Sequence, residues 1–172
     1  MNRLLVCLVA VLGLAACQYE EPIGAAGGAK APAEVAGRWK LPGDPATADH
    51  KKDAFLVIHR TTEQRLVVDY EFEPGKHWYF SGHPVLAKRP EIVELEFLGD
   101  SEGRQNPDKR FVLVQWKRDG ETLAWSVVDD AKLAQGKGGA KLRKALQAAL
   151  DGHQPVSRDD KLRFTRIVPP EN

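Results

Sequence analysis

His59, His77 and His83 are the side chains in this sequence best suited to chemistry, because a neutral imidazole binds a metal or moves a proton near neutral pH. His77 and His83, however, would stand about 20 Å apart along an extended strand at 3.2–3.4 Å per residue. They cannot share one ion unless the chain bends at Gly82. Asp69, Glu71 and Glu73, with Glu94 and Glu96, alternate with apolar neighbours. Such a ladder attracts cations, but it is also the ordinary pattern of a solvated sheet face. There is no His-Glu-x-x-His, and Gly136-Lys137-Gly138-Gly139 lacks both the spacing and the hydroxyl of a phosphate loop. That glycine run reads as a break between two helical pieces. No metal, cofactor or catalytic activity is expected.

The N-terminus carries a different chemistry. One early Arg3, an apolar run from Leu4 to Ala16 and small residues before Cys17 form an export signal. The run falls short of the roughly 20 residues that cross a bilayer as a helix. Leu14-Ala15-Ala16-Cys17 resembles the lipobox of bacterial lipoproteins. That resemblance implies cleavage before Cys17, a diacylglycerol on its sulfur and acylation of the new amine. It also implies an address: a residue other than Asp after the cysteine, here Gln18, favours the outer membrane with the protein facing the periplasm. More than one acyl chain makes such anchoring stable.

Cleavage would remove Cys7 and acylation would consume Cys17, leaving none of the two cysteines for a disulfide or a sulfur-ligated metal. Of the 25 basic residues only Arg3 lies in the signal, so the mature chain is formally neutral against 24 acidic ones. A neutral chain of this length argues for one domain and against a nucleic-acid partner. The expected organisation is a signal over 1–16, a lipidated Cys17 with a flexible Gly/Ala/Pro tether over 17–36, a folded domain over 37–168 and a tail over 169–172.

From Gly37 onward, short segments alternate apolar and polar residues between turn residues, which predicts strands. They fall at Gly37–Leu41, Ala54–Thr62, Arg65–Glu73, His77–Leu86, Ile92–Gly99, Arg110–Arg118, Thr122–Asp129 and Lys161–Val168. Asp119-Gly120 predicts a hairpin. Val68, Tyr70 and Phe72 face inward opposite Asp69, Glu71 and Glu73; Val93, Leu95 and Phe97 oppose a wet Glu94 and Glu96; Trp78, Phe80 and Gly82 oppose His77, Tyr79, Ser81 and His83. Helical pieces are expected at Ala131–Gln135 and Ala140–Leu150, the second with an apolar stripe of Leu142, Ala145, Leu146, Ala149 and Leu150. The fold class is mainly β: a single antiparallel up-and-down barrel of about eight strands, with a C-terminal helical segment before the last strand.

Gly37-Arg38-Trp39 at the first strand, followed by this order of elements, resembles the lipocalin-type calycin pattern, in which Gly-x-Trp closes the barrel's base. The resemblance implies an apolar small-molecule ligand inside the barrel. Which of Arg163 or Arg166 stacks on Trp39 is open. Trp39, Tyr70, Phe72, Trp78, Phe80, Phe97, Trp116 and Trp125 are the candidate lining, since rings supply apolar area with few rotamers. They serve equally well as filling. The alternative is an interaction protein that uses the loops Gly43–Asp53 or Ser101–Lys109 against an envelope protein, as small barrel lipoproteins that inhibit lysozyme do.

Overall fold

Alternation along the chain becomes an inside and an outside. In the computed structural model, strands β2 (Gly37–Leu41), β3 (Ala54–Arg60), β4 (Leu66–Glu73), β5 (Lys76–Pro84), β6 (Ile92–Asp100), β7 (Phe111–Asp119), β8 (Thr122–Val127) and β9 (Leu162–Arg166) pair antiparallel in the order β7-β6-β5-β4-β3-β2-β9-β8, and β8 returns to β7. The sheet closes as an eight-stranded barrel with no free edge to manage. The structure describes residues 18–19, 21–43, 52–104, 111–129, 133, 138–157 and 162–167. The expected signal, Cys17, most of the first helical piece, the tail and the centres of both candidate interaction loops lie outside the described residues.

The β7–β8 hairpin forms as its sequence predicts, running from Val114↔Val127 to Asp119↔Thr122 around Gly120, whose φ of +55° explains the glycine. A register shift between β5 and β6 leaves Leu98 unpaired and 43% exposed. The up-and-down order places Gly37 and the turns at 61–65, 85–91 and 120–121 at one end, here called the base. The loops after β2, β4, β6 and β8 lie at the other end, the mouth.

Two apolar cores share one wall. The inner core fills the barrel from Trp39, Leu56, Ile58, Leu66, Val68, Leu95, Val114, Leu123 and Phe164, each at most 1% exposed. The outer core lies on the far side of β6 and β7. There Ile92, Phe111 and Leu113 pack under helix α1 (Gly139–Asp151), which buries Leu142, Leu146 and Ala149. Each fully buried leucine contributes about 1.5–3 kcal/mol. Ala145 and Leu150, also expected in the stripe, are only half-buried.

The flexible tether is corrected by the structure. Gln18–Tyr19 form a short strand β1 on β7, with Gln18↔Val112 and Tyr19↔Phe111. Residues 21–36 then run down the barrel wall as a strap, burying Ile23, Ala29, Ala31 and Val35. The Ala26 N–H donates to Pro84 O at 3.1 Å and the Ala31 N–H to Glu63 O at 2.7 Å. The glycines and alanines that looked like slack are small residues packed close to a sheet.

Candidate functional site

The base is closed by chemistry that Gly37-Arg38-Trp39 foreshadows. Trp39 is fully buried and its Nε1–H donates to Val35 O at 2.9 Å. The guanidiniums of Arg166 and Arg118 lie 5.7 and 5.9 Å from the indole ring, within cation–π range. Arg166, not Arg163, is therefore the arginine at Trp39, and Arg118 is a second that no sequence signal marked. Gly37 has a φ of +144°, which disfavours any side chain there.

The mouth is different. Tyr70 is the hub of a ring cluster, with centroids 6.1 Å from Trp125, 6.2 Å from Trp78, 6.3 Å from Phe72 and 6.4 Å from Phe164. Phe72 and Trp78 are 4.6 Å apart, and Phe97 meets Phe80 edge-on at 5.5 Å. Phe72, Trp78 and Phe97 are only partly buried. Of the eight rings in the candidate lining, Trp39, Trp116 and Phe80 belong to the packed interior. Tyr70 and Trp125, at 9% and 7% exposed, stand at the transition to the mouth.

One buried polar group in this apolar interior lacks a partner: among the described residues no acceptor reaches the Trp116 Nε1–H. The Tyr70 hydroxyl, on a residue 9% exposed, is not fully enclosed. Burial pushes the Tyr70 phenol up to about 12, so it stays a neutral donor at any physiological pH. An unpaired donor in an apolar site costs about 1–3 kcal/mol. The charged residues that alternate with these rings, Asp69 and Glu71, are on the opposite face, so the interior is apolar.

The histidines do not converge. His59 is exposed on β3. His77 Nδ1 lies 2.7 Å from Asp69 Oδ1, and its ring is parallel to Tyr79 at 5.9 Å. His83 Nε2 lies 3.2 Å from Glu94 Oε1, off the line of a hydrogen bond. His77 and His83 each have a carboxylate of their own, and no three metal-ligating side chains cluster among the described residues.

Gly99-Asp100-Ser101-Glu102-Gly103 has the Gly-x-Ser-x-Gly spacing of a nucleophile elbow, and it is a signal in the sequence that calls for a geometric test. The turn brings Ser101 beside His77 and, through it, Asp69. The three residue types of a hydrolytic triad thus gather on one rim. Their bonds are structural ones. Ser101 Oγ accepts from the His77 main-chain N–H at 3.1 Å, and the Ser101 N–H donates to His77 O at 3.0 Å. The Glu102 N–H, the natural oxyanion donor after the serine, is spent on Asp100 Oδ1 at 3.0 Å. The segment is strand–turn–strand, not the strand–turn–helix that exposes a nucleophile. Asp100 is held below the usual carboxylate range, chiefly by the Arg104 main-chain N–H, which fits a turn organiser.

Glu94, expected on a wet face, is the largest correction. It does point outward from β6, but it is 0% exposed, and Tyr19, Ile23 and Gly24 of the strap close on it. Its Oε2 accepts from the Tyr19 hydroxyl at 2.7 Å and the Ile23 N–H at 2.6 Å, and its Oε1 from the Gly24 N–H at 3.2 Å. Burial alone would push this carboxyl up, yet the neighbouring His83 imidazole and the hydrogen bonds from Tyr19, Ile23 and Gly24 outweigh it and hold the carboxyl below its ordinary value. No family model, curated protein or solved structure matches the chain.

Proposed function

We propose that the chain is a lipoprotein of the bacterial envelope, acylated at Cys17, that binds an apolar small molecule at the barrel's mouth without chemical conversion. The observation that carries the binding reading is the ring cluster around Tyr70: partly exposed aromatic faces at one end, a phenol beneath them and a plugged base at the other. A ligand would sit against Phe72, Trp78 and Phe97 and offer an acceptor to Tyr70. Burial of ring area supplies the affinity and the phenol supplies orientation. The packed lower interior limits the ligand to the mouth. Outer-membrane placement and the periplasmic side follow from Gln18 after the lipobox cysteine. No described helix is long and apolar enough to cross a membrane; in this reading the acyl groups attach the chain.

The reading is tested by titrating the acylated protein in detergent with an apolar naphthylamine dye and following tryptophan quenching. Saturable binding that Trp78→Ala abolishes supports the mouth. Absence of saturable binding overturns it and moves attention to the alternative, an envelope protein bound through the loops after β2 and β6. Mass spectrometry of the N-terminal peptide tests Cys17 separately.

A further inference from the structure

On the outer wall, an open groove of about 430 Å³ runs between α1 and the turn after β5, lined by Leu86, Ala140, Arg143, Lys144, Gln147, Ala148 and Asp151. Its floor is apolar and its head is basic. Arg143 Nη2 donates to Ile23 O at 2.6 Å and to Gly24 O at 2.7 Å, while its buried Nε–H has no partner. No carboxylate pairs with Arg143 or Lys144 among the described residues, although a guanidinium always carries its charge. Asp151, the one acid in the lining, accepts from Gln147 Nε2 at 2.8 Å. The turn at the groove's edge, closed by the Arg89 N–H to Leu86 O at 3.2 Å, adds exposed Lys88 and Arg89; Arg89 has only a distant Glu91 at 3.8 Å. Lys141 is exposed at the N-terminal half of the helix.

The same wall receives the anchor. Tyr19, Ile23, Leu86, Leu142 and Leu146 belong to one core, so the strap that begins at Gln18 and the groove are two parts of one surface. Arg143 ties them together directly. We propose that this wall lies on the bilayer, and that the groove seats the phosphate-bearing headgroup of an anionic phospholipid, its phosphate against Arg143 and Lys144 and its glycerol against Leu86 and Ala148. The proposal rests on acylation at Cys17. A flexible tether would leave the orientation free, whereas a strap fixed from Gln18 onward does not. Basic residues are attracted to an anionic surface only within about a Debye length, which the short connection guarantees.

The test uses the acylated full chain in vesicles of phosphatidylcholine, with or without phosphatidylglycerol. After signal removal Cys17 is the only native cysteine, so a single added cysteine is labelled uniquely. Ala148→Cys places a fluorophore in the groove; His59→Cys places it on β3, across the barrel from β7. A nitroxide on the lipid headgroup should quench the groove label severalfold more than the β3 label when phosphatidylglycerol is present. Lys144→Glu should cut that excess roughly fivefold, with Lys144→Gln intermediate, and far-UV circular dichroism should not change. Equal quenching at both sites, indifference to phosphatidylglycerol or indifference to Lys144→Glu overturns the groove while leaving the anchor standing. An N-terminal peptide without acyl mass overturns the anchoring reading and this proposal with it.

Discussion

The Tyr19 hydroxyl donates to Glu94 across 2.7 Å, joining the short strand β1 to the middle of the barrel wall. The carboxylate has no exposure to water and accepts two further N–H bonds from Ile23 and Gly24. Its removal strands donors that nothing else can satisfy. Glu94→Gln should therefore destabilise the protein by roughly 2–4 kcal/mol, since hydrogen bonds to a charged group contribute about 1.5–3 kcal/mol and an amide would turn N–H towards N–H. Glu63→Gln, whose ion pair with Lys30 spans 3.4 Å with both side chains over 70% exposed, should change stability by less than about 0.5 kcal/mol. Urea midpoints of the two variants give the comparison.

The same carboxylate sets an acid limit. Its folded-state pKa lies below the ordinary value, so the unfolded chain takes up the proton first as pH falls. Its stabilisation is full above the unfolded pKa of about 4.3, declines below that and is lost once pH passes below the folded value. Wild type should lose stability on acidification through this window more steeply than Glu94→Gln, and His83→Gln should narrow the difference by removing one of the groups that hold the pKa down. Parallel curves for wild type and Glu94→Gln would remove Glu94 from the account.

The barrel was legible because its inner face alternates with period two: Val68, Tyr70 and Phe72 on β4 and Val93, Leu95 and Phe97 on β6 all point inward as patterned. What misled was the assumption that the other face is wet. Ile92-Val93 and Phe111-Val112-Leu113-Val114 are continuous apolar runs, the signature of strands buried on both sides. They announced a cover over β6 and β7, but not which segment supplies it. The strap has no periodicity to read because it packs through single residues, Tyr19, Ile23 and Val35, separated by glycine, alanine and proline. At the site, Gly37 and Trp39 marked the base, while Arg118 and Arg166 met there only through the fold.

Gly138 shows how the glycine run serves the strap. Its φ of −75° is open to any residue, yet a Cβ there would meet the Glu21 carbonyl and come within 2.6 Å of Tyr19 Cδ2. The Gly139 N–H donates to that same carbonyl at 3.0 Å. Gly138→Ala should thus cost about 1–3 kcal/mol by overpacking and speed proteolysis within residues 18–26. Gly27→Ala, with nothing within 4 Å of its Cβ, should do neither. Limited proteolysis followed by mass mapping distinguishes local release of the strap from general unfolding.

Tyr70 separates stability from binding more sharply than any other residue of the mouth. Its ring packs against four neighbours while its hydroxyl, in the described structure, bonds to none of them. Tyr70→Phe keeps the ring and removes a hydroxyl that is not fully enclosed, so the fold should change by less than about 0.5 kcal/mol. A ligand that offers an acceptor to the phenol would lose one hydrogen bond, and its affinity should fall about tenfold, the equivalent of roughly 1.4 kcal/mol. Trp78→Ala, half-buried at the rim, should cost less stability than the 3–5 kcal/mol typical of a core tryptophan, yet weaken binding of any ligand held there, with or without an acceptor. Thermal melts and dye titrations on the two variants decide the point. A Tyr70→Phe protein that melts lower than wild type would mean that the hydroxyl has a partner in the folded chain, and the phenol would then be part of the filling rather than of a site.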